Sequence, residues 1–528
     1  MNDEVYLQAD TKLEPLCARW YAWGHLVSPV QQALCLAFRQ VPGMQSFLAN
    51  ASVHERATKD PKMFAGAFME LTQASVPAVR SLLARTQDRH ADLLHLAQEL
   101  LSLDRRLQKE TGQSLDSFYQ AQPPVLGGLV EMLYDLNHHA RFRILEELAY
   151  EAGWSNQASQ EISLTRMRDE TRNFFLNTPL LEDDTRLTLP VSFKDPRIDL
   201  LSQARLRATP FAELAAAFNV PEQQRGRFRS YFTDEPPERQ DTEFHGDGVR
   251  VRYFGHACVL IQTDQVSVLI DPFVTWDDYP GEAHLSFDDL PDRIDWVFLT
   301  HNHQDHFSVE LLLQLRRRIG RILVPRNNPN CMADPSMRLA LESLGFDSVQ
   351  IMDWMDAVAI PGGAITSIPF YGEHADLDIA SKHGMHLRIK DRTFLFLADS
   401  DCKDPRLYQR VVDRLGKVDT LFIGMECDGA PLNWLYGCYF SGPINRKDNE
   451  SRRLSGSDAT RALEVVKACG CKTAYVYAMG QEPWMRFVTG LQYTPGAKQI
   501  VESDKFVEAC HRSGLVSERL YGGNTWVL

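Results

Sequence analysis

The stretch Thr300-His301-Asn302-His303-Gln304-Asp305-His306-Phe307-Ser308 decides how this chain reads. The apolar run Trp296-Val297-Phe298-Leu299 leads straight into it, and residues 308–319, SVELLLQLRRRI, follow. The first run predicts a buried strand and the second a helix starting near Ser308. His301 and His303 are two apart, so an extended backbone turns both to the same side. Asp305 and His306 fall where the helix begins and address a neighbouring position. Four metal-type side chains in six residues, flanked by apolar strand and helix, make a pattern for two metal ions rather than a solvated histidine-rich loop.

Outward from this run the chain alternates strands and helices. Residues 249–273, VRVRYFGHACVLIQTDQVSVLIDPF, alternate and are rich in β-branched residues. They predict two or three antiparallel strands with turns at Gly255-His256 and Thr263-Asp264-Gln265. WVFLT, RILVP, AITSIPF, MHLRIK, TFLFLAD, TLFIGM and TAYVYAM read as further strands, with MRLALESLG and DATRALEVVKAC as helices between them. The N-terminal part differs. QQALCLAFRQV, ADLLHLAQELLSLDRRLQ and residues 129–153, LVEMLYDLNHHARFRILEELAYEAG, space apolar residues by three and four, which predicts helices, the last ending at Gly153. His138-His139 then falls mid-helix and reads as structural. The polar stretch Thr233 to Gly248, with two prolines, two glycines and many charges, is the best linker. The expectation is a mostly helical domain over 1–243 and an α/β domain over 244–528.

With 528 residues the chain can build more than one core without disulfides. Lys plus Arg is 56 against 70 Asp plus Glu, a net charge of −14, which excludes a generally basic protein that coats nucleic acid. No apolar run approaches the roughly 18 residues of a membrane span. The opening MNDEVYLQAD has no basic start or apolar core, so no export signal is expected. The 10 cysteines are scattered without a CxxC pair, and Cys469-Gly470-Cys471 reads as two reduced structural thiols. A reducing, cytoplasmic compartment is the expectation.

HxHxDH after a strand resembles the metallo-β-lactamase superfamily. Phe254-Gly-His-Ala-Cys-Val-Leu260 followed by Val268-Leu-Ile-Asp-Pro272 is similar to the opening hairpin of that fold. Asp271 stands where the superfamily keeps an aspartate that braces the histidine loop, and Leu397-Ala-Asp399-Ser resembles its bridging-aspartate strand. The resemblance implies an αββα sandwich. Two departures bear on the chemistry. The loop before Asp399 reads Phe370-Tyr-Gly-Glu373-His374-Ala-Asp376, offering both a glutamate and a histidine. The late strand, Thr473 to Trp484, has no histidine, and Glu482 stands near the usual position. A set richer in carboxylate tilts toward iron or manganese, whereas affinity order alone favours zinc.

The helical first half, the length, HxHxDH, the Gly-Glu-His loop and the histidine-free late strand together resemble the diiron β-hydroxylases of nonribosomal peptide pathways, across the whole chain. That resemblance implies two Fe ions, with His301, His303 and Glu373 on one, Asp305 and His306 on the other, and Asp399 bridging. It implies O₂ and external electrons, an amino acid tethered as a thioester to a peptidyl carrier domain, and hydroxylation of its β-carbon. Since Gly127-Gly128 and Gly362-Gly363 are isolated pairs and no GxGxxG follows a strand, electrons would come from a separate reductase. A homodimer is the default oligomer. The competing readings are a dinuclear zinc hydrolase of thioesters, phosphodiesters or lactones, and a scaffold that keeps the fold without catalysis.

Some residues carry secondary readings. His256 orients a ligand or simply packs its turn. His374 is the alternative to Glu373. Glu482 is a partner of the ligands or a surface carboxylate. Met425 to Phe440, aromatic and aperiodic, reads as a substrate-pocket wall. Arg316, Arg317, Arg318 and Arg321, and separately Arg446, Lys447, Arg452 and Arg453, are basic clusters that would suit an acidic carrier and its phosphate or are solvated faces.

Overall fold

The computed structural model describes the chain except residues 1–2, 65, 153, 155–156, 168–170, 238–241, 276–282 and 491. Two seven-stranded sheets form its C-terminal part. One runs in the order Val349–Met352, Ile319–Pro325, Ile294–Phe298, Ser267–Ile270, Val259–Gln262, Arg250–Tyr253, Asn524–Val527. The other runs Ala357–Ile360, Gly363–Ile368, Gly384–Ile389, Arg392–Phe396, Thr420–Gly424, Thr473–Tyr477, Val516–Arg519.

The two sheets face each other across one apolar layer. Val259, Ile261, Val268, Ile270 and Phe298 from the first meet Leu387, Phe394, Phe396 and Phe422 from the second. The alternate residues, Leu260, Leu269 and Val297, point the other way, into a core shared with helix Val309–Leu315 and the N-terminal part. Strands buried on both faces read as continuous apolar runs. On the second sheet's outer face lie helices Arg406–Leu415, Ala459–Cys469 and Lys498–Arg512. The layers are helix, sheet, sheet, helix, as the superfamily resemblance implied.

The first strands are antiparallel: Arg250 pairs Gln262, and Val259 pairs Ile270. From Ser267–Ile270 to Ile294–Phe298 and on to Ile319–Pro325 the pairing is parallel. The second sheet becomes parallel from Arg392–Phe396 through Thr420–Gly424 to Thr473–Tyr477. Functional loops gather at the carboxyl ends of such strands. Here Asp271, Thr300 to His306, Asp399 and Glu426 all follow strand ends.

Helices carry most of the regular structure before residue 237, including Val76–Arg89 and Ala91–Leu107, yet small sheets run through it. Thr11–Cys17 pairs with Gln160–Arg166, which pairs in turn with Arg186–Pro190. Residues 129–153, expected as a helix, instead form the hairpin Val130–Tyr134 and Ala140–Ile144, with only Glu146–Glu151 helical. Burial there alternates, with Val130, Met132, Ala140, Phe142 and Ile144 inward. Asp135 closes the turn by accepting from the Asn137 and His139 N–H groups. His138 is thus a turn residue at φ 63°, not mid-helix. The expected end at Gly153 lies outside the described residues. Part of the Thr233 to Gly248 linker is likewise outside them, and Thr233 itself belongs to strand Phe232–Thr233.

Among the described residues no helix is long and apolar enough to cross a membrane. All ten cysteines are free thiols.

Candidate metal centre

The histidine run turns its ligand atoms inward at the edge of the sandwich, and a hydrogen-bond network fixes which nitrogen each ring presents. Asp271, at the end of Ser267–Ile270, accepts from the Thr300 N–H at 2.7 Å and the Thr300 hydroxyl at 2.6 Å. It also accepts from His306 Nδ1 at 2.8 Å. Thr300 Oγ1, its own proton committed to Asp271, accepts from His301 Nδ1 at 3.0 Å. Both rings therefore keep a proton on Nδ1 and turn Nε2 to the centre. His306 Nε2 lies 3.1 Å and His301 Nε2 3.6 Å from Asp399 Oδ2. Such outer contacts orient metal ligands.

His303 is held the other way round. Its Nε2 and His374 Nδ1 each lie 2.8 Å from the Tyr436 hydroxyl, which links the two rings. His303 Nδ1 is left facing Glu373 Oε1 at 2.9 Å. His256 accepts the Gly480 N–H on Nδ1 at 3.0 Å, so its proton sits on Nε2, 3.4 Å from Asp305 Oδ2. The sequence left open whether His256 orients a ligand or packs a turn; it faces a ligand-type carboxylate.

The backbone is bent to make this arrangement. Asp271, Glu373, His256 and Ala398 all have positive φ, at 40°, 65°, 49° and 46°. Strain of this kind collects at functional sites and costs of order 1–3 kcal/mol per residue. Gly372 (φ 84°) precedes Glu373, and a Cβ there would come within 2.5 Å of Asp401 Cβ.

Three groups of side chains place ligand atoms within 4.8 Å of one another: His301, His303 and Glu373; His301, His306 and Asp399; and His256, Asp305 and His306. His374 and Glu482 belong to none of these groups among the described residues. His374 Nε2 is buried without a partner. Glu482 is 1% exposed and accepts from the Tyr253 hydroxyl at 2.8 Å, so it is no surface carboxylate.

The electrostatics are those of a site built for cations. Burial, with Asp399 and Asp305 close by, pushes the Glu373 carboxyl well above the usual range. Burial also drives His303 down to about 4. His306 goes the opposite way: Asp399 and Asp271 on its two nitrogens overcome burial and hold it up. Buried orphans such as His301 Nε2 and Asp399 Oδ1 point at the same spot. Unpaired buried polar atoms are costly, and a bound cation would satisfy these. Imidazoles with several carboxylates suit two divalent ions.

A cavity of about 250 Å³ opens above the site. His303, Asp305, Glu373 and Asp399 form its floor, Phe64 and Asn173 come from the N-terminal part, and Glu426, Trp434 and Leu454 make another side. The Met425 to Phe440 segment thus supplies cavity wall. Burial and the charges of Glu373, Asp399 and Asp305 raise the Glu426 carboxyl. The sequence marks the segment holding Glu426 and Tyr436 as pocket wall but gives neither a role of its own, and it gives no sign of Phe64, which stands in no motif.

The arginine run after the metal motif divides, with Arg316 and Arg318 internal and Arg317 and Arg321 exposed. Arg316 is buried against Asp199 at 2.8 Å and donates to the Phe193 and Leu344 carbonyls at 2.6 Å. Arg318 donates to the Leu290 and Pro291 carbonyls. Those two join structure rather than offer a docking face. Arg453 pairs with Asp428 at the cavity rim, whereas Arg446 and Lys447 are exposed.

Comparison with known proteins agrees with this geometry. Residues 6–236 match the diiron non-haem β-hydroxylase N-terminal domain, and 250–402 a β-lactamase superfamily domain. The chain is 35% identical over 526 residues to the 4-amino-L-phenylalanyl-[CmlP-peptidyl-carrier-protein] 3-hydroxylase of Streptomyces venezuelae, covering 98% of each. It superposes on the crystal structure of CmlA, a diiron β-hydroxylase from Streptomyces venezuelae, with a TM-score of 0.92 at 34% identity, covering 100% of both chains. A CmlA β-hydroxylase mutant gives 0.90 at 34% identity, with 99% of this chain and 100% of that one covered. The shared length, the shared fold and the convergence of histidines and carboxylates lead to one conclusion: the chain belongs to the family of diiron non-haem β-hydroxylases.

Proposed function

We propose that this enzyme hydroxylates the β-carbon of an amino acid held as a thioester on the peptidyl carrier domain of a nonribosomal peptide synthetase. The observation that carries the reading is the buried convergence of histidines and carboxylates beneath a cavity walled by both halves of the chain. The relative from Streptomyces venezuelae, similar over nearly its whole length, acts on a carrier-bound amino acid. In our assignment His301, His303 and Glu373 hold one iron, Asp305 and His306 the other, and Asp399 bridges. The irons, when bound, supply the oxygen chemistry: O₂, two electrons and two protons convert the C–H bond to C–OH and release water.

The chain's own residues prepare that site. Asp271 and Thr300 keep protons on His301 and His306 Nδ1, so that Nε2 faces the centre on each ring. Tyr436 holds His303 by Nε2, leaving Nδ1 toward Glu373. His256 Nε2 faces Asp305 Oδ2 at 3.4 Å. Phe64, Trp434 and Leu454 give the cavity apolar walls. We further assign the electrons to a separate reductase, the compartment to the cytoplasm, and pairing with a second copy or partner docking to residues 1–243. Exposed apolar side chains such as Met63, Phe64, Leu136 and Leu148 lie in that segment. Residues 244–528 are assigned the dinuclear site.

The test is metal analysis of protein from iron-supplied cells, followed by a single turnover with aminoacylated carrier under labelled O₂. The expected result is bound iron with visible absorption that bleaches on reduction, and a product carrying one labelled oxygen. Retention of zinc in the presence of plentiful iron, with hydrolysis of a thioester, phosphodiester or lactone instead, would overturn it.

A further inference from the structure

The strand Thr420–Gly424 ends against the metal centre, and a Cβ on Gly424 would sit 3.1 Å from Asp399 Oδ1. Two residues on, Glu426 lines the same cavity as His303, Asp305, Glu373 and Asp399. The carboxylates of that cavity divide by what they bind. Asp305, Glu373 and Asp399 belong to the clusters able to hold metal. Asp428 is tied to Arg453 at 3.1 Å. Glu426 does neither. Its backbone carbonyl accepts from the Gly456 N–H at 2.9 Å, while its carboxylate makes no hydrogen bond or ion pair among the described residues.

An acid on a wall shared with Phe64, Trp434 and Leu454 is costly to ionise unless a cation meets it. An α-amino group of pKa about 7.7–8.0 brings a cation at neutral pH. That cation is equally costly to bury unless an anion meets it. The two requirements cancel. The basic side chain on the cavity wall, Arg453, is already engaged by Asp428.

We propose that the Glu426 carboxylate receives the α-ammonium of the carrier-bound amino acid, so that the site takes free aminoacyl groups and refuses N-acylated ones. The proposal rests on the reaction assigned above and adds its substrate class. The ammonium sits one bond from the α-carbon and two from the β-carbon, so anchoring it on Glu426 turns the β C–H toward the floor where Asp399 and Glu373 lie. It also orders the pathway: the reaction precedes the step that forms an amide on this amino group.

The experiment compares wild type, Glu426→Gln and Glu426→Asp, all iron-loaded. Each is titrated with carrier bearing the free amino acid, its N-acetyl derivative or the corresponding 2-hydroxy acid, and Kd and product are measured. Loss of a charge-assisted contact predicts that Glu426→Gln binds the aminoacyl carrier about 10- to 100-fold more weakly. Its affinity for the N-acetyl and 2-hydroxy carriers should stay at the wild-type level, with iron content and circular dichroism unchanged and partial rescue by Glu426→Asp. Equal affinity of Glu426→Gln and wild type for the aminoacyl carrier overturns the proposal, as does wild type binding the N-acetyl form as tightly as the free one. Absence of hydroxylated product from wild type with every carrier overturns the assigned reaction instead, and the binding comparison still decides Glu426 separately.

Discussion

Tyr436 Oη lies 2.8 Å from His303 Nε2, although 133 residues separate them in the chain. The contact joins the cavity wall to the histidine run and fixes the nitrogen His303 presents. Tyr436→Phe keeps the ring and removes the hydroxyl. Iron affinity should fall about 10- to 100-fold, the range for losing an outer-shell partner. Equilibrium dialysis against iron, with circular dichroism as control, checks this; wild-type affinity would show the hydroxyl to be incidental.

Asp271 is the acceptor shared by His306 and Thr300. Asp271→Asn leaves one oxygen where three donors arrive on two, so at least one donor is left buried and unmet, at a cost of about 1–3 kcal/mol. Urea unfolding of the metal-free protein should show that loss, and metal titration a weaker second site. An unchanged midpoint and titration curve would contradict the bracing role.

Glu373 and His374 are neighbours with opposite surroundings. Glu373 faces His303 Nδ1, whereas His374 Nδ1 is hydrogen-bonded to Tyr436. Glu373→Ala should lower bound iron, measured by plasma emission, and His374→Ala should retain it. The reverse order would move the ligand assignment to His374.

Arg316 bridges Asp199 and backbone carbonyls at the junction of the two halves. Truncating one partner of a buried ion pair strands the other, so Arg316→Ala should destabilise by roughly 3–5 kcal/mol. Thermal or urea unfolding reads this directly. Normal stability with impaired carrier binding would instead return Arg316 to the docking role.

Glu146 gives the protein a pH dependence remote from the metals. Burial raises its carboxyl from 4.5 to about 7, against hydrogen bonds from Ser336 and Asn327. The folded state therefore holds this proton more tightly than the unfolded one. The associated stability is present below pH 4.5 and is lost as pH rises to about 7, amounting to about 3 kcal/mol. Glu146→Gln should match wild type near pH 4.5 and exceed it at pH 8 in urea unfolding. Parallel profiles would refute the shift.

What could be read from residues alone follows how far apart cooperating groups lie. His301, His303, Asp305 and His306 are contiguous and flanked by apolar runs, so they were legible. Asp399 stands in a short local motif, whereas the Glu373-His374 loop alone offers two candidates and the family resemblance is what selects Glu373. The roles of Tyr436 and Glu426 were not legible, because they depend on which strand ends the fold brings together. The hairpin over 129–153 was misread because its apolar residues fit helical spacing as well as alternation, and the turn made by Asp135 is what separates the two. Arg316 and Arg318 read as surface charge because sequence does not show the carbonyls that absorb them.

The cavity wall drawn from Phe64 and Asn173 on one side and Trp434 and Leu454 on the other has a practical consequence for anyone re-engineering the enzyme. A fragment starting at 244 would lose the Phe64 and Asn173 side of the cavity and also the N-terminal side of the core into which Leu260, Leu269 and Val297 pack. Swapping the first half between homologues would reshape what the enzyme admits while leaving its inorganic chemistry untouched. The first half thus contributes to what the enzyme admits, alongside Glu426, Trp434 and Leu454 of the second.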